Sequence, residues 1–152
     1  MAAPDKMRGT ATAHELAATV AAAAAAAGAD CRQVPMADGG EGFLEVLGGA
    51  NRTSTVTGPL GDPVEAPWRL AGREAVIEMA RASGLELVGG AEGNDPLAAS
   101  TYGTGELIAE ELDAGARRVL VGVGGSATTD GGLGALRALY PTARTRGVEL
   151  VV

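Results

Sequence analysis

Four stretches of this 152-residue chain set charged or hydroxyl side chains beside glycines at spacings suited to anion chemistry. Asp5-Lys6-Met7-Arg8-Gly9-Thr10 carries two cations and one carboxylate just ahead of a helix start. At such a place the helix dipole, unpaired amides and side-chain charge act together, so Lys6 or Arg8 can neutralise a carboxylate or a phosphate. Asp38-Gly39-Gly40-Glu41-Gly42 turns a strand into a helix with two carboxylates facing one region. Near a phosphate, Asp38 and Glu41 are the residue types that hold Mg2+ or accept a hydroxyl proton. Plain helix capping by Asp38 is the competing reading.

The third stretch, Gly122 to Gly132, reads as strand, glycine loop and helix. In that arrangement the backbone of Gly124, Gly125, Ser126 and Thr128 can cradle a phosphate, while the loop hydroxyls and Asp130 can add phosphate or metal contacts. Asp38 and Asp130 are therefore the candidate metal ligands. Gly122, Gly124 and Ala127 match the dinucleotide G-x-G-x-x-A spacing. The loop does not open directly into a helix, however, and no later acid can be assigned to a ribose. A Walker lysine pattern is also absent from the sequence, which excludes a P-loop kinase. In the fourth stretch Glu78 ends a strand, where open α/β folds place ligands, with Arg81-Ala82-Ser83-Gly84 after it and Thr101 to Glu106 further on.

These residues need a scaffold, and helix and strand patterns alternate along the chain. Thr12 and Glu15 form a capping box before Leu16, Val20 and a run of alanines that Gly28 closes. Strands are expected at residues 31–35, 53–57, 64–70 and 75–79, the last two as a hairpin turning at Gly72. A short helix is expected over residues 42–47. Thr104 can cap a further helix with Leu107, Ile108 and Leu112 on its apolar face and Gly115 at its end. Residues 119–123 make an apolar run suited to a strand buried on both faces of a parallel sheet. A helix over 133–139 and a strand over 148–152 complete the pattern. It predicts an α/β fold with a mostly parallel sheet and flanking helices.

Composition narrows the function classes. Lys and Arg number 12 against 19 Asp and Glu, a net charge of −7, so a basic nucleic-acid surface is excluded and any anion must meet a local concentration of cations. The lone Cys31 forbids an internal disulfide or a thiolate metal cluster and reads as a structural thiol. His14, the one histidine, is expected on the surface. The alanine run over residues 16–29 is too short and too weakly apolar to span a bilayer, and a cytoplasmic setting is expected.

Taken in order, these stretches resemble the signatures of the bacterial glycerate kinase family of glyoxylate and glycerate metabolism. Ala3-Pro4-Asp5-Lys6-Met7-Arg8-Gly9-Thr10 is similar to its opening A-P-D-[SK]-F-[KR]-G-[ST], with Met7 in place of Phe. Pro35 to Gly42, Val56 to Val64, Ala75 to Leu85, Thr101 to Ile108 and Gly124 to Gly132 supply five more matches, so six motifs cover most of the chain. The resemblance implies transfer of the ATP γ-phosphoryl group to a hydroxyl of glycerate with Mg2+, in the cleft of a two-domain α/β fold. It places Asp5, Lys6, Arg8, Asp38 and Asp130 as catalytic candidates and Glu41, Gly124, Gly125, Ser126 and Thr128 as substrate or phosphate contacts. Residues 1–55 would belong to the first domain without its first strand, and residues 56–152 to an incomplete second one. The chain is thus expected to be truncated at both ends. A non-catalytic module, or a generic phosphate-binding α/β protein, is the alternative.

Overall fold

The computed structural model describes residues 1–140 and 145–152. Five strands, β1 (Arg52–Thr57), β2 (Pro63–Ala71), β3 (Glu74–Glu78), β4 (Arg118–Gly122) and β5 (Glu149–Val151), stand side by side in that order. Helices α1 (Ala13–Ala26), α2 (Phe43–Val46), α3 (Ala80–Ser83), α4 (Tyr102–Asp113) and α5 (Leu133–Ala138) accompany them. The expected α/β sheet with flanking helices is therefore present. Its parallel part is confined to β3, β4 and β5, while β1–β2 and β2–β3 pair antiparallel. The reason is connector length: residues 58–62 and 72–73 make tight turns, and a parallel crossover needs about a dozen residues or more. β1 runs unbroken across residues 55 and 56, paired from Arg52 opposite Trp68 to Thr57 opposite Pro63.

The core forms where α4 lies on the sheet. Ile77, Leu107 and Val119 are fully buried, and Trp68 closes the β2 side with its indole N–H donating to Ser54 Oγ at 3.0 Å. A buried indole needs such an acceptor, which is why a serine is tolerated inside β1. Among the described residues no helix is long and apolar enough to cross a membrane.

Two expectations are corrected. Residues 31–35 do not make a full strand; only Gln33 bridges, in parallel, to Ala2. Backbone bonds Ala2 N–H to Arg32 O (2.8 Å), Val34 N–H to Ala2 O (2.8 Å) and Met36 N–H to Pro4 O (2.9 Å) follow the ladder. Its next donor would be Pro4, which has no N–H, so regular pairing cannot continue. Thr104 does not cap α4 either. The helix starts at Tyr102 after Thr101, and Thr104 is buried in its first turn with its hydroxyl 2.8 Å from Ser83 Oγ. The α1 capping box is as read: Glu15 N–H donates to Thr12 Oγ1 (3.2 Å), and Thr12 N–H to Glu15 Oε2 (2.8 Å).

Candidate functional site

The 2–36 ladder delivers Asp5 and Lys6 beside the Asp38 turn. Lys6 Nζ lies 3.3 Å from Asp38 Oδ1 and 3.8 Å from Asp5 Oδ1. The lysine side chain is 15% exposed and the Asp38 side chain 71%, so the ammonium is fixed in the fold while the carboxylate faces solvent. Asp38 Oδ1 also accepts the Gly40 N–H at 3.0 Å. That amide, and then Lys6 through its bond and its charge, hold the carboxyl below the usual Asp range. Asp38 is ionised at neutral pH, as a charge partner or metal ligand must be.

Glycines set the distance between this turn and the end of β4. Gly124 N–H donates to Gly39 O at 3.0 Å. A Cβ on Gly122 would stand 2.5 Å from Gly39 O, and one on Gly124 would stand 2.5 Å from Gly40 Cα. Neither position accepts any side chain, so the 38–42 loop and the 122–125 loop interlock and Gly124 sits close to Lys6.

Glu78 anchors the arrangement from below the surface. At the end of β3 it is 2% exposed; its Oε1 accepts the Leu44 N–H of α2 and its Oε2 accepts Arg81 Nε, each at 2.9 Å. A buried carboxylate left unpaired is costly, so these two donors tie α2 and Arg81 to the strand end. Arg81 then lines an open cleft of about 500 Å3 with Lys6, Arg8, His14 and Glu41, walled by residues 5–15 and 41–46. The N-terminus of α1 also borders this cleft, but Glu15 already caps it, so an anion here would rely on Lys6, Arg8 and Arg81 rather than on the helix dipole.

The remaining sequence candidates form a second, more self-contained group. Gly124 N–H goes to Gly39 O, Ala127 N–H to Ser83 O (3.0 Å) and Thr128 N–H to Ser126 Oγ (3.0 Å). The hydroxyls of Ser126 and Thr128 bond each other at 3.0 Å. Two of the four amides expected to cradle phosphate, those of Gly124 and Thr128, are thus engaged within the fold, which leaves Gly125 and Ser126 for that role. Asp130 Oδ2 accepts Thr101 N–H (2.9 Å), Thr101 Oγ1–H (2.8 Å) and Gly134 N–H (3.0 Å), and Oδ1 accepts Gly132 N–H (3.0 Å). Burial would raise its pKa, but these four donors prevail and hold it at about 2. It joins the start of α4 to the start of α5, since Thr101 Oγ1 in turn accepts Ala135 N–H at 3.0 Å.

Asp5, Lys6, Asp38 and Gly124 are thus brought together with Arg8 and Glu41 nearby, whereas Asp130 is bound into the α4–α5 junction and Thr128 bonds to Ser126 within its own loop. Arg81, which the sequence placed in the fourth stretch without assigning it a role, is the further cation of the cleft. Its one signal is its position three residues after the strand-end Glu78.

Residues 1–147 match the model of the glycerate kinase family. The chain is 54% identical over 112 residues to glycerate 2-kinase of Escherichia coli K12, covering 70% of this chain and 29% of that protein. It is 53% identical over 118 residues to glycerate kinase of Bacillus subtilis 168, covering 74% and 31% respectively. A crystal structure from Salmonella typhimurium LT2, provisionally assigned as glycerate kinase 2, superposes with a TM-score of 0.73 at 44% identity, over 90% of this chain and 39% of that one. The aligned stretch spans about three tenths of the length of these two curated relatives.

Proposed function

Since the chain belongs to the glycerate kinase family, we propose that it supplies part of an active site transferring the γ-phosphoryl group of ATP to a hydroxyl of glycerate. The observation that carries this reading is the fixed, mostly buried Lys6 side chain between Asp5 and Asp38, in a cleft that Arg8 and Arg81 line together with the carboxylates of Asp5, Glu15, Glu41 and Glu45. Phosphoryl transfer is largely positioning and charge neutralisation, and these are the groups it needs. Lys6 faces the charge that develops on the transferred group. Arg8 and Arg81 suit the glycerate carboxylate, which a guanidinium binds through paired hydrogen bonds. Asp38, held ionised, orients Lys6 and is a poor general base, because a base at neutral pH is tuned upward. The name of the E. coli relative, glycerate 2-kinase, favours the 2-hydroxyl as acceptor.

For Mg2+ the two aspartates differ. Asp38 fits: both of its described bonds fall on Oδ1, which leaves Oδ2 for a cation. Asp130 fits poorly, because its oxygens already accept four hydrogen bonds. Among the described residues no cluster of three His, Cys, Asp or Glu could hold a metal, which suits an ion held by one or two carboxylates and by substrate phosphates. When bound, Mg2+ supplies charge neutralisation on the phosphate oxygens. In the two-domain arrangement we favour, divided between residues 1–55 and 56–152, the cleft is lined by loops of the first with Arg81 from the second. A single free thiol, Cys31, suits a reducing cytoplasm.

An ADP-release assay on the full protein tests the reading. Release should require glycerate and Mg2+, and Lys6→Ala should lower kcat/KM by about 100-fold or more. Glycerate-independent release, or near-normal turnover by Lys6→Ala, would overturn it.

A further inference from the structure

The end of the sheet opposite the cleft carries a second concentration of charge. Arg73, Arg117, Arg118 and Arg146 border an open cavity of about 720 Å3 together with Glu74. Glu74 and Arg118 open the paired strands β3 and β4, and Glu78 and Gly122 end them at the cleft. Four of the twelve Lys and Arg residues gather here, in a protein whose net charge is −7.

Only one of the four is neutralised by neighbours. Arg118 is tied to Glu74 at 2.6 Å and to Glu149 at 3.2 Å. Arg117 Nη1 donates to the Ala116 carbonyl at 2.6 Å, and no carboxylate pairs with Arg73, Arg117 or Arg146 among the described residues. Four guanidiniums against two carboxylates leave a local charge of +2. Backbone bonds join the segments that carry three of the four: Arg73 O accepts Arg117 N–H (2.8 Å) and Arg118 N–H (3.1 Å), and Arg117 O accepts Glu149 N–H (2.9 Å).

Like charges gathered around one cavity repel one another, and an anion entering between them relieves that repulsion. Guanidinium forks match phosphate oxygens through paired bonds, and several forks around one cavity select a ligand with more than one charged oxygen group. We propose that this arginine cluster binds a small multivalent phosphate anion. It lies apart from the Lys6 cleft, and occupancy of one end of β3 and β4 does not exclude the other.

An amide NMR titration of the protein with inorganic pyrophosphate, without Mg2+, tests the site. Saturable shifts are expected at Gly72, Arg73, Arg117 and Gly147. The double variant Arg73→Glu with Arg146→Glu, both exposed positions, should bind pyrophosphate at least about tenfold more weakly by calorimetry. Raising the ionic strength should weaken the unsubstituted protein in the same direction. Shifts confined to residues 5–15 and 39–42, unchanged affinity in the double variant, or no saturable shift at all would each overturn the proposal. The shift map needs no variant, so it stands even if the double substitution perturbs folding.

Discussion

The loops of Asp38 and Asp130 share the tripeptide Asp-Gly-Gly, and each enters a short helix through a left-handed glycine, Gly42 at φ 90° and Gly132 at φ 83°. In both, the aspartate Oδ1 accepts the amide two residues on, at 3.0 Å. The difference lies in what stands across from them. Thr101 and Gly134 saturate the second oxygen of Asp130, while Lys6 shares the first oxygen of Asp38 and leaves the second open. One local motif thus meets four donors in one place and two in the other, and we propose a structural clasp for Asp130 and a part in phosphoryl transfer for Asp38. The number of donors a carboxylate already serves separates the two uses.

The largest effect expected from that contrast is on turnover. Asp38→Asn should cut kcat of the full protein by about two orders of magnitude or more while leaving the melting curve nearly unchanged. Asp130→Asn should do the reverse, with kcat of the folded fraction retained and stability lost. Equal loss of kcat in both variants, with both folds intact, would erase the distinction and return Asp130 to the catalytic set.

Glu111 extends the comparison to a carboxylate with no donors. It is fully buried in α4, and neither oxygen has a hydrogen-bond partner. Burial pushes its carboxyl up to about 8. Between about pH 4.5 and pH 8 the folded protein keeps a proton that the unfolded chain releases, so this residue makes stability fall as pH rises through that window. Glu111→Gln cannot titrate. Its stability relative to the unsubstituted protein should rise from pH 5 to pH 8 by on the order of 3 kcal/mol in denaturant melts. A pH-independent difference would mean that Glu111 is not held neutral.

Replacing Asp130 by Ala removes a charged acceptor from three amides and a hydroxyl. A loss of about 2 kcal/mol is expected, with amide exchange quickening first at residues 132–135. Loss without local exchange at the α5 start would place the stabilisation elsewhere.

Much of the fold was legible because it depends on local chemistry. The capping box of α1 and the hairpin at Gly72 form from contacts near in sequence, and the apolar run of β4 marks a buried strand by its residue types alone. The strand over residues 31–35 failed for a reason held elsewhere in the chain, the missing N–H of Pro4 on its partner segment. Thr104 likewise looked like a cap until Ser83 supplied a buried partner. The site divided in the same way. Lys6, Asp38 and Gly124 could be named from residue type, but their meeting depends on the interlocked loops and the Glu78 anchor. The saturation of Asp130 was invisible because two of its four donors come from Thr101, far off in the chain.

The smallest effect is at acid pH and tests the clasp directly. Asp130 is held at about 2, below the ordinary 3.8, so its contribution is complete above about pH 4 and fades as pH falls toward 2. Because the group is partly open to solvent, the amount is discounted to about 1 kcal/mol. Measuring stability from pH 5 to pH 2.5 in the parent and in Asp130→Asn should show the parent losing its advantage over that interval. Asp38 and Glu15 also have lowered carboxyls, but both titrate equally in the two proteins and cancel in the difference. A difference that stays flat to pH 2.5 would mean that the four donors do not favour the ionised form, and the line drawn between the two Asp-Gly-Gly loops would lose its electrostatic basis.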